Sequence, residues 1–240
     1  MILLVDIGNT RTKWRVLDKA SHVVSSDYVR NEKLNSVFIK ESFEKLSLKS
    51  VYVSNVGEES LFYLFEGFAK SFDMMIKRFE TQSRMLNVRL GYEDVSRLGV
   101  DRALAMVGAF NGQGVLVIDA GSAITADILN NNGQHLGGYI IAGLEMTRNL
   151  LISKTAKVGV IAGVGFDQPG LSTNECVSNG VTIMFKSLIS GLIEIAKSKG
   201  VSRYVVTGGD AEVFRQWSGD RLVVSDNLVL DGLGRYVHEG

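Results

Sequence analysis

The sequence predicts an α/β protein made of two similar halves, each a mixed sheet with flanking helices, with a cleft between them. Three observations predict it. The chain has 240 residues, which suits two domains of roughly 100 to 150 residues, because single cores seldom grow past that range. Short apolar runs alternate with helical stretches, the pattern of strands and helices sharing a core. A unit of strand, acid, glycine turn and strand occurs twice, half a chain apart.

The first copy runs from Leu3 to Leu17. Leu3 to Asp6 is an apolar run ending in an acid, Ile7-Gly8-Asn9-Thr10 is a turn, and Lys13 to Leu17 returns as a second strand, which together read as a β-hairpin. A mixed segment at 33–47 follows, then a strand at Val51 to Val56, a helix at 58–70 and an apolar patch at 72–76. Leu98-Gly99-Val100-Asp101-Arg102 leads into an Ala-rich helix from Ala103 to Ala109. The second copy is Val115 to Asp119, the turn Ala120-Gly121-Ser122-Ala123, and Ile124 to Leu129. At an offset of 113 residues Asp6 aligns with Asp119, Gly8 with Gly121, Asn9 with Ser122 and Thr12 with Thr125. A strand at Gly138 to Ala142, a long helix from Thr173 to Lys199, a strand at Tyr204 to Thr207, a helix at 210–217, a strand at Leu222 to Val224 and a last helix complete the second half. Pro169 is the single proline, so no proline linker marks the boundary, which the glycines Gly112 and Gly114 put at residue 112: domains 1–112 and 113–240.

Apolar residues make up 45% of the chain and charged residues 22%, enough for a core in each half. Lys and Arg balance Asp and Glu at 26 each, so no net field draws the chain to a polyphosphate backbone or an acidic membrane. Nucleic acid and membrane partners are therefore not expected. The segment Met1 to Asp6 lacks a basic region and carries a charge, unlike a signal peptide or a membrane span, which points to the cytoplasm. The lone Cys176 excludes an internal disulfide and reads as a packed thiol. His22, His135 and His238 show no metal-ligand spacing.

The repeated turns carry the chemistry. Glycine and small polar residues after a buried strand let several backbone N–H groups converge on one anion, with hydroxyl and amide side chains adding donors. A carboxylate at the strand end can hold Mg²⁺ through water, and the metal offsets charge on a transferred phosphoryl group. One such turn is ordinary turn chemistry; two in register point to phosphate. No G-x-x-x-x-G-K-S/T occurs, and Gly159, Gly163 and Gly165 do not form G-x-G-x-x-G after a strand, so P-loop and Rossmann readings fail. Asp101 and Arg102 are open to two readings. They are first-turn residues of a helix, where an acid suits the dipole, or Asp101 takes a substrate hydroxyl proton while Arg102 forks onto a substrate carboxylate. Val205-Val206-Thr207-Gly208-Gly209-Asp210-Ala211, a strand entering a glycine turn, could let adenine lie against backbone, and is equally a plain strand-to-helix connection.

Taken together these segments resemble type III pantothenate kinases, over residues 6–211. The family pattern Asp-x-Gly-Asn-Thr/Ser is met by Asp6 to Thr10, Gly-x-Asp-Arg by Gly99 to Arg102, and Asp-x-Gly-Thr/Ser-Ala-x-Thr by Asp119 to Thr125. Gly137 to Leu144 and Leu171-Ser172-Thr173 resemble further family segments. The resemblance implies two RNase H-like domains of the actin-like ATPase superfamily, and ATP-dependent phosphorylation of pantothenate, the first step towards coenzyme A. It implies that Asp101 is the general base, that Tyr92, Gly99, Val100, Asp101 and Arg102 line the pantothenate site, and that Asp6, Ile7, Gly8, Asn9, Thr10, Arg11, Thr12 and Lys13 cradle ATP. Ser122 would touch an ATP phosphate, Asp119 would hold a monovalent cation, K⁺ or NH₄⁺, and Asp6 would hold Mg²⁺ through water. Thr173 would reach substrate across a homodimer interface with shared active sites. The long helix suits that interface, since Val177, Val181, Met184, Leu188, Leu192 and Ile195 recur every three or four residues and could serve a partner as well as the core. The chain departs from the family at Ser122, where Thr is commoner, at Ala142, where Pro is usual, and at Cys176-Val177, where Ala-Ile is usual. Ser keeps the hydroxyl, and the loss of Pro should loosen a turn more than remove chemistry.

Three rivals share the motifs. A sugar or acetate kinase, or a kinase for another small carboxylate-bearing alcohol, would use the same fold, but a sugar site would present more Asn, Asp and Glu than one acid beside one Arg. A non-catalytic nucleotide-binding regulator would be expected to lose Asp6, Asp101 or Asp119, and all three are present. An RNase H-like nuclease would need a basic groove, which a neutral chain without a basic run does not supply.

Overall fold

The apolar run Ile2–Ile7 forms β1, the centre of a five-stranded sheet, because its side chains are buried on both faces. The computed structural model describes residues 1–154 and 165–238, with the His238 side chain outside that set; Gly159 and Gly163 of the glycine cluster lie outside it too. Along the chain β1 is followed by β2 (Arg11–Leu17), β3 (Val23–Arg30), α1 (Ser36–Phe43), β4 (Ser50–Asn55), α2 (Glu59–Ser71), β5 (Met75–Arg78), the short pair β6 (Arg84–Met85) and β7 (Val88–Arg89), and α3 (Val100–Ala109). The second half carries β8 (Val115–Ala120), β9 (Ala123–Leu129), β10 (His135–Ala142), α4 (Leu144–Lys154), α5 (Thr173–Ser198), β11 (Arg203–Thr207), α6 (Ala211–Trp217), β12 (Val223–Val224) and α7 (Leu228–His238).

The repeat read from the sequence is a repeat of topology. The first sheet has the order β3-β2-β1-β4-β5 and the second β10-β9-β8-β11-β12. In each, the hairpin strands pair antiparallel, and the inner strand pairs parallel with the strand after the first crossover, β1 with β4 and β8 with β11. Two units follow, Met1–Phe110 with Asn227–Gly240, and Asn111–Asp226. Sequence reading expects one boundary after 112 and leaves the last helix in the second half, whereas α7 packs with α3 in the first unit. The reason lies in the helix surfaces. A Cβ on Gly108 would overlap the Leu228 carbonyl and one on Gly232 the Leu104 carbonyl, so bare backbone on both helices allows the close crossing. Arg235 then donates to the carbonyl oxygens of Gly108, at 3.2 Å, and Phe110.

Each unit buries its own core. Leu3, Val5 and Ile7 of β1 join Trp14, Val51, Val53, Phe43 and Phe65 on one face of the first sheet, under α1 and α2. On the opposite face Leu4 meets α7 at Gly234, and Arg15 pairs with Asp231 of α7 at 2.6 Å. In the second unit Leu116, Ile118 and Ala126 pack against Phe185, Ile189 and Phe214. Among the described residues α5 is the helix long and apolar enough to cross a membrane. Its Val181, Phe185, Ile189, Leu192, Ile193 and Ala196 are buried in the core of the second unit. Val177 and Leu188 pack against that core, whereas Met184 and Ile195 are exposed. Cys176, expected to be packed, is exposed at the start of α5, because the first turn of that helix stands clear of the core.

Candidate active site

The first turn hangs on the C-terminal ends of β1 and β4, the place where ligands bind in sheets with parallel strands. Gly8 N–H donates to the Arg11 carbonyl at 3.0 Å and closes the turn. Asn31 braces it from behind: its side-chain amide donates to the Gly8 carbonyl at 2.8 Å, and its side-chain oxygen accepts the Thr12 hydroxyl at 2.9 Å. On the other flank Val56 and Gly57 N–H both donate to the Ile7 carbonyl. Within Asp6 to Lys13 the work is therefore divided. Ile7 and Thr12 are buried and shape the turn, Asp6 is buried at the strand end, and Asn9, Thr10 and Arg11 are exposed. Asn31 is not singled out by sequence reading, because its partners lie about twenty residues away.

Asp6 faces the side of the sheet that bears α3 and α7, with Lys13 beside it in register on β2 and Ser54 beside it on β4. In the second unit Asp119 stands in register between Thr125 on β9 and Thr207 on β11. These registers correct one alignment. Asp6 pairs with Lys13 and Asp119 with Thr125, so Thr125 is the structural counterpart of Lys13, and Thr12 that of Ile124. The first turn is one residue longer, and a slip of one residue exchanges the faces of a strand. Burial agrees, since Thr12 and Ile124 are buried while Lys13 and Thr125 are half-buried.

The second turn is built on the same plan. Ser122 is exposed, and its carbonyl accepts Gly143 N–H at 3.0 Å, which ties the turn to the end of β10. Gly208, at φ 101°, lies so close to Asp119 and to the Ala120 carbonyl that a Cβ would overlap both. That conformation favours glycine, and it lets Asp210 N–H reach the Ala120 carbonyl at 3.0 Å.

Asp101 is the second residue of α3, after Gly99 as N-cap. Its carboxylate curls back over Gly99, where a Cβ would overlap it, and accepts the Arg102 backbone N–H at 2.8 Å. Gly99 in turn rests near Val56, just past the end of β4, so Asp101 belongs to the same strand-end region as the first turn. Buried Arg102 donates to the Tyr92 hydroxyl at 2.9 Å and stacks on the Tyr92 ring at 5.6 Å. Val100 is buried and anchors the helix start. Acid, guanidinium and phenol are thus gathered in the first unit. Thr173 is the exposed first residue of α5 in the second unit, behind a capping box made by Ser172 and Glu175. A groove of about 490 Å³ between α1 and α2, on the face opposite Asp6, includes none of these residues.

Residues 2–195 match the sequence model of the type III pantothenate kinases. A type III pantothenate kinase of Pseudomonas fluorescens (strain Pf0-1) is 36% identical over 243 residues, covering 97% of each chain. The chain belongs to the type III pantothenate kinase family. Another member, from Marinobacter nauticus, is 34% identical over 244 residues and is covered over 99% of its length. Among solved structures, a Baf family protein from Campylobacter jejuni is 25% identical, with a TM-score of 0.65 over 99% of this chain and 98% of that one. The activator of 2-hydroxyisocaproyl-CoA dehydratase from Clostridium difficile, solved with bound ADPNP, is 15% identical with a TM-score of 0.52, a likeness of fold. The fold is that of the actin-like and sugar-kinase ATPases, and type III pantothenate kinases are phosphotransferases.

Proposed function

We propose that the chain transfers the γ-phosphoryl group of ATP to the terminal hydroxyl of pantothenate, in the cytoplasm, as the first step towards coenzyme A, with Asp101 as the base. The observation that carries this reading is the Gly99–Asp101–Arg102–Tyr92 cluster. It sets a carboxylate curled over a glycine beside a guanidinium whose fork is braced by a phenol. Pantothenate is an alcohol bearing a carboxylate, so it needs both parts. Arg102 and Tyr92 bind the carboxylate, and Asp101 takes the hydroxyl proton as the hydroxyl oxygen bonds to the γ-phosphorus and the bond from that phosphorus to ADP breaks.

The first turn, Asp6 to Lys13, receives the ATP phosphates, and the Ser122 hydroxyl adds a donor to them. Among the described residues no three His, Cys, Asp or Glu side chains cluster as a metal cage. We assign Mg²⁺, carried in by ATP, to Asp6 through water. Asp119 stands in register between Thr125 and Thr207, a set of oxygen donors that fits a monovalent cation, K⁺ or NH₄⁺. A bound cation there adds positive charge near the transferred phosphates. Activity in K⁺ or NH₄⁺ should exceed that in Na⁺ or choline buffer; equal rates would remove the cation from the scheme.

A homodimer with shared sites completes the reading. Leu171, Phe166 and Ile140 of the second unit are 98%, 71% and 66% exposed, and Met146, Leu150, Ile183 and Met184 add apolar surface on α4 and α5. We assign the partner surface to these residues, and Thr173 stands two residues after Leu171. The direct test of the base is Asp101→Asn. The amide keeps shape and cannot take the proton, so kcat should fall roughly 10² to 10⁴-fold while ATP and pantothenate still bind. An unchanged kcat would leave Asp101 as a helix-start residue.

A further inference from the structure

Two hydroxyls occupy equivalent places beside these acids: Ser54 has no part in the scheme above, and Thr207 enters it only as an oxygen next to Asp119. Ser54 on β4 stands in register beside Asp6, and Thr207 on β11 stands in register beside Asp119. Residues in register on neighbouring strands project to the same face, so each hydroxyl is the side-chain neighbour of a carboxylate. Ser54 is 0% and Thr207 2% exposed, and both hydroxyl oxygens are enclosed with no hydrogen-bond partner among the described residues. Enclosing a hydroxyl without a partner destabilises a fold, and an alanine or valine of nearly the same shape would avoid the penalty. The same disfavoured feature recurs at the same sheet position in both units, next to the two acids proposed to manage charge at the phosphates.

We infer that Ser54 and Thr207 are positioning residues for Asp6 and Asp119. Each hydroxyl donates a hydrogen bond to its neighbouring carboxylate when nucleotide is bound. The bond fixes which carboxylate oxygen faces the ligand. The surroundings of the two pairs differ in a useful way. Asp6 has Lys13 in register on its other side, whereas Asp119 has Thr125. The two pairs therefore test one role beside different neighbours. The inference rests on the roles proposed for Asp6 and Asp119.

The test uses Ser54→Ala, Thr207→Val and Thr207→Ser in the full chain, with three readouts: melting temperature, calorimetric affinity for a non-hydrolysable ATP analogue with Mg²⁺ and K⁺, and kcat. Expected are melting temperatures equal to or above that of the parent for Ser54→Ala and Thr207→Val, with analogue affinity and kcat each lowered by about tenfold, the loss of one hydrogen bond to a charged group. Thr207→Ser should recover most of both. Parental affinity and kcat in the folded variants would overturn the inference, as would a lowered melting temperature with unchanged kinetics, which would make the hydroxyls structural. Asp6→Asn and Asp119→Asn in the same titration separate the two levels. If these leave affinity and turnover intact, the reading of the acids fails; if they lose both and the hydroxyl variants do not, only the positioning role fails.

Discussion

The Gly99-to-Arg102 motif carries the chemistry proposed for the site. Gly99 is required because the Asp101 carboxylate occupies the space of its missing Cβ. Gly99→Ala should turn the carboxylate away while leaving the fold intact, since the atom displaced is the end of a flexible side chain. Steady-state kinetics should show kcat falling by about tenfold to a hundredfold, the scale of a misplaced catalytic group, with a melting temperature near that of the parent. Arg102→Lys keeps the charge but loses the fork proposed to meet the substrate carboxylate and the fit on Tyr92, so the KM for pantothenate should rise more than the KM for ATP. As candidates, Asp6, Asp101 and Asp119 were visible in the sequence because acids near glycine beside apolar residues form a local pattern. Ser54 was not, because a single serine inside a strand carries no local signal until the register puts it beside Asp6. The packed setting expected for Cys176 failed for a related reason: apolar neighbours in sequence say little at a helix start that stands clear of the core.

At the scale of elements, the doubled hairpin was legible because its strands are buried and their apolar runs are unbroken. β3 was not, for Val23 to Tyr28 are all exposed at an edge position and two valines followed by Ser25, Ser26 and Asp27 show no apolar alternation. The placement of α7 was also hidden, because it depends on Gly108 and Gly232 bringing two helix backbones together. α3 carries Asp101 at its start, and the crossing with α7 holds that helix. Gly232→Ala should therefore separate the helices, costing about 1–3 kcal/mol by overpacking, read as a fall of several degrees in melting temperature. Activity should drop with it, although residue 232 is far in sequence from the motif. An unchanged melting temperature would mean that the crossing yields at no cost.

At the scale of the whole molecule, the two units repeat one topology, and the family pattern sets Asp101 in the first and Thr173 in the second. If Thr173 serves the site of a partner subunit, lesions on different subunits should complement each other. Mixing Asp101→Asn subunits with Thr173→Trp subunits should regenerate one intact site in each mixed dimer, because one site collects both lesions and the other neither. Inactive parents that stay inactive after subunit exchange, or a monomer at assay concentration, would remove the shared site. The substrate is the claim on which the rest depends. The most direct measurement is ADP release by the purified chain with Mg²⁺, K⁺ and ATP, offering pantothenate against acetate, glycerol and a set of sugars. The expected result is release that depends on pantothenate and is lost in Asp101→Asn; release with another acceptor and none with pantothenate would contradict the account.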